Sequence, residues 1–193
     1  MTTAVWETAV LAETAPPPAS FEEQRLVAAV VRGESAAFES LYRRQVGVCY
    51  GLAYRLTSRA ADAEELVQEA FVRAWEHRAT FQSFEHLKRW LKRVVVNCWI
   101  NDLRRRRSGS PNGPAEDLDD DSPAIAVPPV PPGLKLDLER ALASLTPRLR
   151  AVVTLFDLYG CGHDEIAELL EITPGASKVQ LHRARTRLRE ILQ

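Results

Sequence analysis

The 193-residue chain lacks several features that would mark other classes of protein. Its three cysteines, Cys49, Cys98 and Cys161, are scattered and form no CxxC pair, so neither a disulfide framework nor a zinc site is predicted. No apolar run reaches the about 18 residues that suggest a membrane-spanning helix. The N-terminus also lacks the basic start and apolar core of a signal peptide. We therefore expect a cytoplasmic protein without membrane insertion, bound metal or other cofactor.

The chain also lacks the side-chain groupings that enzymes use. It shows no nucleophile paired with a base, no cluster of metal ligands and no glycine loop suited to phosphate. Glu64 and Glu65 are unsuitable as paired catalytic carboxylates, because neighbouring side chains on a helix point about 100° apart. We expect no catalytic residues and a protein that is not an enzyme.

Charge is distributed unevenly along the chain, although the formal net charge is only −1. Residues 21–107 hold 16 basic and 11 acidic residues, whereas residues 108–133 hold five acidic residues and no basic one. The second segment also contains seven prolines and three glycines, a composition typical of an extended, self-repelling linker. Residues 1–20 are expected to form a disordered lead. The predicted organisation is therefore this lead, a domain at 21–107, a flexible linker at 108–133 and a second domain at 134–193.

Helical periodicity dominates both domains and strand-type alternation is unconvincing, so the predicted fold class is all-α. In the first domain, helices are expected at about 21–32 and 35–57, then from Asp62 and from Ser83, with Asp62 and Ser83 as caps. Two apolar rows should face the core. They are Ala63, Leu66, Val67, Ala70 and Ala74 in the third helix, and Leu87, Leu91, Val94 and Cys98 in the fourth.

The third predicted helix is acidic inside a basic domain. From Asp62 to Glu76 there are five acidic residues and a single basic one. A face that touches phosphate should be basic, so this helix is interpreted as a surface for a protein partner. Its outward residues are predicted to be Glu65, Gln68, Glu69 and Glu76.

The fourth predicted helix carries a polar row in which every fourth residue is an arginine or an asparagine. The row consists of Arg89, Arg93, Asn97, Asn101 and Arg105, and four consecutive arginines close it at 104–107. A charged row of this kind is usually a solvated face. Here, however, amides that can read base edges follow guanidiniums that can hold phosphate, which favours nucleic-acid binding.

The second domain contains the helix start signals expected of a helix-turn-helix. Thr146-Pro147 and Thr173-Pro174 each place a capping hydroxyl before proline, and helices are expected at about 147–159, 163–170 and 174–192. In the last helix Leu181, Ala184, Leu188 and Ile191 form the expected buried stripe. The first turns of such a helix meet base edges in the major groove.

Two motifs together indicate a family. Residues 62–71 read Asp-Ala-Glu-Glu-Leu-Val-Gln-Glu-Ala-Phe and are followed by Trp75, Phe81, Trp90-Leu91, Asn97, Asp102 and Arg104-Arg105. The second domain contains Leu142, Leu145, Glu165-Ile166-Ala167-Glu168, Gly175, Lys178, Leu181-His182-Arg183-Ala184-Arg185 and Leu188-Arg189. In this order, across an acidic linker, they resemble the extracytoplasmic-function (ECF) sigma factors, the small two-domain members of the bacterial sigma-70 family.

The resemblance implies a transcription initiation factor. Its partners would be core RNA polymerase, through the clamp and the flap, and promoter DNA, single-stranded at the −10 element and double-stranded at the −35 element. An anti-sigma protein is a further candidate partner. The residues implied for polymerase binding are Asp62, Glu65, Leu66, Gln68, Glu69 and Phe71. Those implied for the −10 element are Arg78, Phe81, Arg89, Arg93, Asn97, Asn101, Arg104 and Arg105. Those implied for the −35 element are Thr173, Ser177, Lys178, Gln180, His182, Arg183 and Arg185.

The second domain departs from the family pattern at its turn and at the start of its last helix. Glu171 replaces the usual glycine, at a cost of about 1 kcal/mol if its backbone is left-handed. Ala176-Ser177 replaces a common Thr-Val, and Val179 replaces an outward serine. The main alternative is an autonomous helix-turn-helix regulator. That alternative accounts for residues 146–192 but gives no role to the acidic helix, the polar row or the linker.

Overall fold

The protein is described by a computed structural model over residues 21–108 and 135–192. Within these two segments every regular element is helical and no strand occurs, which confirms the predicted all-α class. The predicted lead, and the linker beyond Ser108, lie outside the described residues. The helices are α1 (Phe21–Val31), α2 (Ser35–Thr57), α3 (Ala60–Glu76), α4 (Phe84–Ser108), α5 (Lys135–Ala143), α6 (Pro147–Val153), α7 (His163–Leu170) and α8 (Pro174–Leu192). A 3-10 turn, Arg78–Thr80, precedes α4, and a π-helical turn, Thr154–Leu158, continues α6.

Capping side chains were used to predict the starts of two helices in the first domain, α3 and α4. Ser83 caps α4 as predicted, because its hydroxyl accepts a hydrogen bond from the backbone N–H of His86 at 3.1 Å. The predicted start of α3 is wrong. That helix begins at Ala60, with Arg59 at the cap position and no side-chain cap bond. Asp62 therefore lies inside the first turn, where a carboxylate still interacts favourably with the helix dipole.

The second domain contains one helix, α5, that the periodicity did not predict. The later helices match the predicted ones, and Thr173 caps α8 by accepting a hydrogen bond from the N–H of Ala176 at 3.1 Å. Thr146 stands before α6 as predicted but makes no cap bond, and its hydroxyl is buried without a hydrogen-bond partner among the described residues. The position of that cap was predictable, whereas its chemistry was not.

The predicted apolar rows form the core. All nine residues named for α3 and α4 are buried, and Trp99 is the largest side chain that is almost fully enclosed. In α8 the stripe is confirmed at Leu181, Ala184 and Leu188. Ile191 is a wrong prediction, because it remains 41% exposed in the last turn of the helix.

The two helical domains pack against each other, and their buried residues form one continuous hydrophobic cluster. Arg150 of α6 is 2% exposed and reaches into the first domain. Its guanidinium donates hydrogen bonds to the Leu56 carbonyl at 3.0 Å, the Ser58 hydroxyl at 2.8 Å and the Ala143 carbonyl at 3.3 Å. These acceptors lie at the C-terminal ends of α2 and α5, where cations are favoured. Arg150 therefore holds one helix end of each domain.

Candidate protein-binding and nucleic-acid interfaces

The acidic face of α3, defined as Glu65, Gln68 and Glu69, points away from the core. All three side chains are exposed. Glu69 forms an ion pair with Arg73 at 2.5 Å, one turn further along the helix. Because the apolar row occupies the opposite side of α3, the acidic face presents two carboxylates and an amide to solvent.

Three of the residues implied for polymerase binding do not share this exposed position. Leu66 and Phe71 are each 5% exposed and belong to the core. The ring of Phe71 packs edge-on against Tyr42, with centroids 4.7 Å apart. The Asp62 carboxylate is 15% exposed and accepts the Arg106 guanidinium at 2.8 Å. These three residues position α3, and the other three residues of the implied set, those of the acidic face, are exposed.

Asp62 and Asp102 form a charge network with the end of α4. Arg106 contacts the carboxylates of both, at 2.8 and 2.6 Å, and so joins α3 to α4. Burial alone would lower the pKa of Arg106, but the two carboxylates outweigh it and the pKa is raised. The network accounts for Asp62 without any partner protein, and no local pattern around Asp62 could have predicted it.

Val72 is an exposed residue that sequence reasoning missed. It is 59% exposed and lies four residues after Gln68, so it extends the acidic face by one turn. A single exposed apolar residue is common on protein surfaces, so Val72 adds a neighbour to the acidic face but does not by itself indicate a partner. The spacing from Gln68 was the signal that could have identified it.

The polar row of α4 lies on the surface as predicted, with all five of its residues exposed. Arg93 of this row forms an ion pair with Glu168 of α7 at 2.5 Å. Beyond the row, Arg104 pairs with Glu171 at 2.6 Å. Within α4, Arg105 pairs with Asp102 at 2.7 Å. Part of the row is therefore engaged by the second domain.

Arg78 and Phe81, both implied for the −10 element, are engaged in the loop before α4. Phe81 is 4% exposed, and its ring packs edge-on against Trp90 at 5.3 Å between centroids. Arg78 donates to the Trp75 carbonyl at 2.7 Å and lies 4.4 Å over the Trp75 ring. Phe81 therefore offers no open stacking platform here, and Arg78 holds the loop to α3.

The helix-turn-helix consists of α7, a turn at Glu171 and α8. Glu171 has φ 54 and ψ 47, which confirms the left-handed conformation considered for it. Lys178, Val179, His182 and Arg183 are exposed along the first half of α8. They form the exposed side of this half of the helix.

Ser177 is placed differently from the prediction. It is fully buried, and its hydroxyl lies 2.9 Å from Nδ1 of His163. Burial, followed by the charge of Lys178, lowers the pKa of His163, which favours a neutral ring in this contact. Ser177 therefore links α7 to α8 and cannot touch DNA in this arrangement.

Three other implied −35 residues are only partly available for DNA. Gln180 is half-buried, and the Thr173 hydroxyl is engaged in capping α8. Arg185 binds the Asp157 carboxylate through two nitrogens and lies 5.5 Å from the centroid of the Phe156 ring. These contacts hold α8 against the turn that follows α6.

In residues 21–108 and 135–192, no helix is both long and apolar enough to cross a membrane.

The family described as Sigma-70 region 2 matches residues 41–109, and the family described as Sigma-70, region 4, matches residues 135–188.

Several curated relatives share much of the chain. ECF RNA polymerase sigma factor SigM of Mycobacterium tuberculosis is 33% identical over 171 residues, covering 88% of this chain and 84% of the relative. ECF RNA polymerase sigma factor SigF of Caulobacter vibrioides is 35% identical over 176 residues, covering 87% and 94%. ECF RNA polymerase sigma factor SigE of Mycolicibacterium smegmatis is 34% identical over 174 residues, covering 83% of this chain but 64% of the relative.

A solved structure is similar over most of the described fold. It is the sigma factor RpoE in complex with the anti-sigma factor NepR from Bartonella quintana. The TM-score is 0.59 at 26% sequence identity, and the similarity covers 80% of this chain and 96% of RpoE.

Proposed function

The chain belongs to the ECF sigma factors of the sigma-70 family, which direct RNA polymerase to promoters and are not enzymes, and from this premise we propose how its surfaces divide that task. The acidic face of α3 binds core RNA polymerase at the clamp. The polar row of α4 holds the opened strand of the −10 element. The exposed side of α8 reads the −35 element, while its domain rests on the polymerase flap.

The observation that carries this proposal is the contrast between two successive helices. The acidic face of α3 exposes carboxylates that repel phosphate, whereas α4 exposes guanidiniums and amides that attract it. The two helices are fixed to each other through Arg106 and the carboxylates of Asp62 and Asp102. A protein partner and a nucleic-acid strand can therefore be held on one rigid pair of helices.

Side-chain exposure narrows the proposed contacts. At the polymerase we propose Glu65, Gln68 and Glu69 as the contacting residues, with Asp62, Leu66 and Phe71 supporting them. At the −10 element the proposed contacts are Arg89, Arg93, Asn97, Asn101, Arg104 and Arg105, with Arg78 and Phe81 supporting the loop.

At the −35 element, Lys178, His182 and Arg183 are the proposed polar contacts. Val179 is 52% exposed beside them and has a shape suited to a thymine methyl group. Ser177, Thr173 and Arg185 hold the helix in place. Because Val179 and Ala176 depart from the family pattern, the −35 sequence is expected to differ from the commonest one.

Run-off transcription with bacterial core polymerase tests the whole proposal. Purified protein plus core enzyme should yield specific transcripts from a genomic promoter library, where core enzyme alone yields none. If no product exceeds that of core enzyme alone, the proposal fails. A stable dimer that binds a palindromic site without polymerase would instead establish the autonomous regulator.

The polymerase surface is tested by Gln68→Ala combined with Glu69→Lys. Both positions are exposed, so helicity measured by circular dichroism should stay unchanged while binding to core enzyme is lost. Glu39→Lys, a charge reversal at an exposed glutamate of α2, is the matched control and should bind normally. Retained binding by the double variant would exclude this surface.

Two further parts of the proposal follow from the relatives. RpoE is seen with an anti-sigma factor, and we propose that an anti-sigma protein is also a partner of this chain. Since its polymerase partner transcribes bacterial DNA, the proposed compartment is the cytoplasm.

A further inference from the structure

Three glutamates of α7 and its turn form a carboxylate ladder directed at α4. Glu165, Glu168 and Glu171 are spaced three residues apart, so they lie on one side of the helix. Glu165 contacts the Lys92 ammonium at 2.8 Å, while Glu168 and Glu171 contact Arg93 and Arg104 at 2.5 and 2.6 Å. All three pairs join the second domain to the first.

The ladder occupies cations that the proposed function assigns to DNA. Arg93 and Arg104 are proposed contacts of the opened −10 strand, and a carboxylate uses the same guanidinium N–H donors as a phosphate. We propose that the carboxylate ladder is a docking surface for the strand-binding face of α4, so that the free protein covers part of its own −10 site. This inference rests on the proposed function of α4.

Burial of the ladder contacts differs from one end to the other. Glu165 and Lys92 meet where Lys92 is 18% exposed and its ammonium also lies 3.2 Å from the Cys161 thiol. Burial alone would lower the pKa of Lys92, but the hydrogen bond that its ammonium donates to Glu165 and the neighbouring Cys161 outweigh burial, and the pKa is raised. This end of the ladder therefore remains charged and fixes the register of α7 on α4.

The other end of the ladder is exposed and therefore easily displaced. The side chains of Arg93 and Glu168 are 52% and 63% exposed, and those of Arg104 and Glu171 are 58% and 65% exposed. Exposed pairs of this kind contribute little to stability and are screened by salt. A nucleic-acid strand positioned on the polymerase can replace them, so the cover is reversible.

Glu171 adds an independent observation. Its left-handed backbone, φ 54, suits glycine far better than glutamate. The side chain kept at this strained position reaches the Arg104 guanidinium. A glutamate thus occupies a left-handed turn position at which glycine is favoured, and its carboxylate contacts the other domain.

The test compares two variants with the same change in net charge. Glu168→Gln with Glu171→Gln removes two negative charges from the ladder. Glu190→Lys produces the same change at an exposed glutamate of α8 that pairs with Arg187 in its own helix. The first measurement is fluorescence anisotropy of a short fluorescein-labelled single-stranded DNA of mixed sequence, at low salt and without polymerase, because phosphate contacts are independent of sequence.

The second measurement is the distance between the domains by fluorescence energy transfer. Dyes are attached at Ser40→Cys in α2 and Ile191→Cys in α8, both exposed positions. The native Cys49, Cys98 and Cys161 are buried and should not compete for labelling.

The expected result is that the double glutamine variant binds the strand at least about threefold more tightly than Glu190→Lys, because a larger fraction of molecules exposes the α4 face. Energy transfer should fall in the same variant. Equal affinities of the two variants would overturn the inference. Run-off transcription separates this failure from failure of the proposed function: specific transcripts with equal strand affinities would overturn only the ladder.

Discussion

Replacement of Arg150 by methionine tests how the domains are held together. Arg150 is 2% exposed, and its three hydrogen-bond acceptors, two carbonyls and a hydroxyl, are all uncharged. Burial lowers its pKa to about 10. Methionine is also unbranched but shorter, and it has no charge and no donors, so the variant removes both the hydrogen bonds and the cost of burying the cation.

Loss of the hydrogen bonds destabilises the variant, whereas removal of the buried cation stabilises it. The sizes of these two contributions decide whether the variant is less or more stable than the wild type. Three hydrogen bonds from a charged group contribute about 6 kcal/mol at about 2 kcal/mol each. The depressed pKa corresponds to a cost of about 3 kcal/mol for burying the charge. Arg150→Met should therefore lower the free energy of unfolding by about 3 kcal/mol, the difference between these terms.

The assay is urea denaturation followed by circular dichroism, with Arg140→Met as the matched control. Arg140 lies in α5 of the same domain and is exposed, so its variant should stay within about 0.5 kcal/mol of the wild type. Equal or greater stability of Arg150→Met would refute the reasoning, because it would mean that the cost of burying the cation exceeds the value of its hydrogen bonds.

The depressed pKa also predicts how the stability contribution of Arg150 depends on pH. Near neutral pH the guanidinium is protonated in both the folded and the unfolded chain. The cost of burying its charge is therefore fully present there and does not change with pH. Above about pH 10 the unfolded chain binds the proton more tightly than the folded one, and stability rises with pH. The difference in stability between Arg150→Met and the wild type should therefore be flat from neutrality to about pH 9.

Three further outcomes can be measured. Glu171→Gly should raise the thermal midpoint, because a left-handed backbone costs a non-glycine residue about 1 kcal/mol; a lower midpoint would show that its ion pair dominates. Asp62→Asn should reduce the free energy of unfolding by about 1 kcal/mol through loss of a half-buried ion pair, whereas unchanged stability with lost polymerase binding would make Asp62 a contact residue. Burial raises the pKa of the Cys49 and Cys98 thiols to about 11, so Ellman's reagent near pH 8, roughly three units lower, should react slowly until the protein is denatured. Rapid reaction of the native protein would contradict that burial.

Features that depend on local periodicity could be predicted from the sequence. The apolar rows of α3 and α4 and the cap at Ser83 follow from spacing along one helix. The left-handed turn at Glu171 was also accessible, since it stands at a position where the related family has glycine. In each case the physical cause lies within a few residues of the feature.

Features that depend on distant parts of the chain could not be predicted. The Asp62 carboxylate meets Arg106 of another helix rather than capping its own, and Ser177 meets His163 across the turn. Nothing in the sequence distinguishes Arg150 from an exposed helix arginine. Its contacts exist only because packing brings the C-terminal ends of α2 and α5 beside it. These side chains satisfy polar groups brought together only by tertiary packing, and no pattern on one helix encodes that packing.

The exposure of the proposed surfaces indicates the order in which polymerase and DNA would bind to them. With the two domains packed together, Glu65, Gln68 and Glu69 remain exposed and the described part of the second domain does not pair with them, so core polymerase can bind the acidic face at once. The polar row is different, because Arg93 is engaged by Glu168 and the neighbouring Arg104 by Glu171. If the carboxylate ladder acts as proposed, polymerase binding must come first and strand capture second. Separate binding of the two domains to the clamp and the flap would pull α7 from α4 and release those guanidiniums where the promoter is opened.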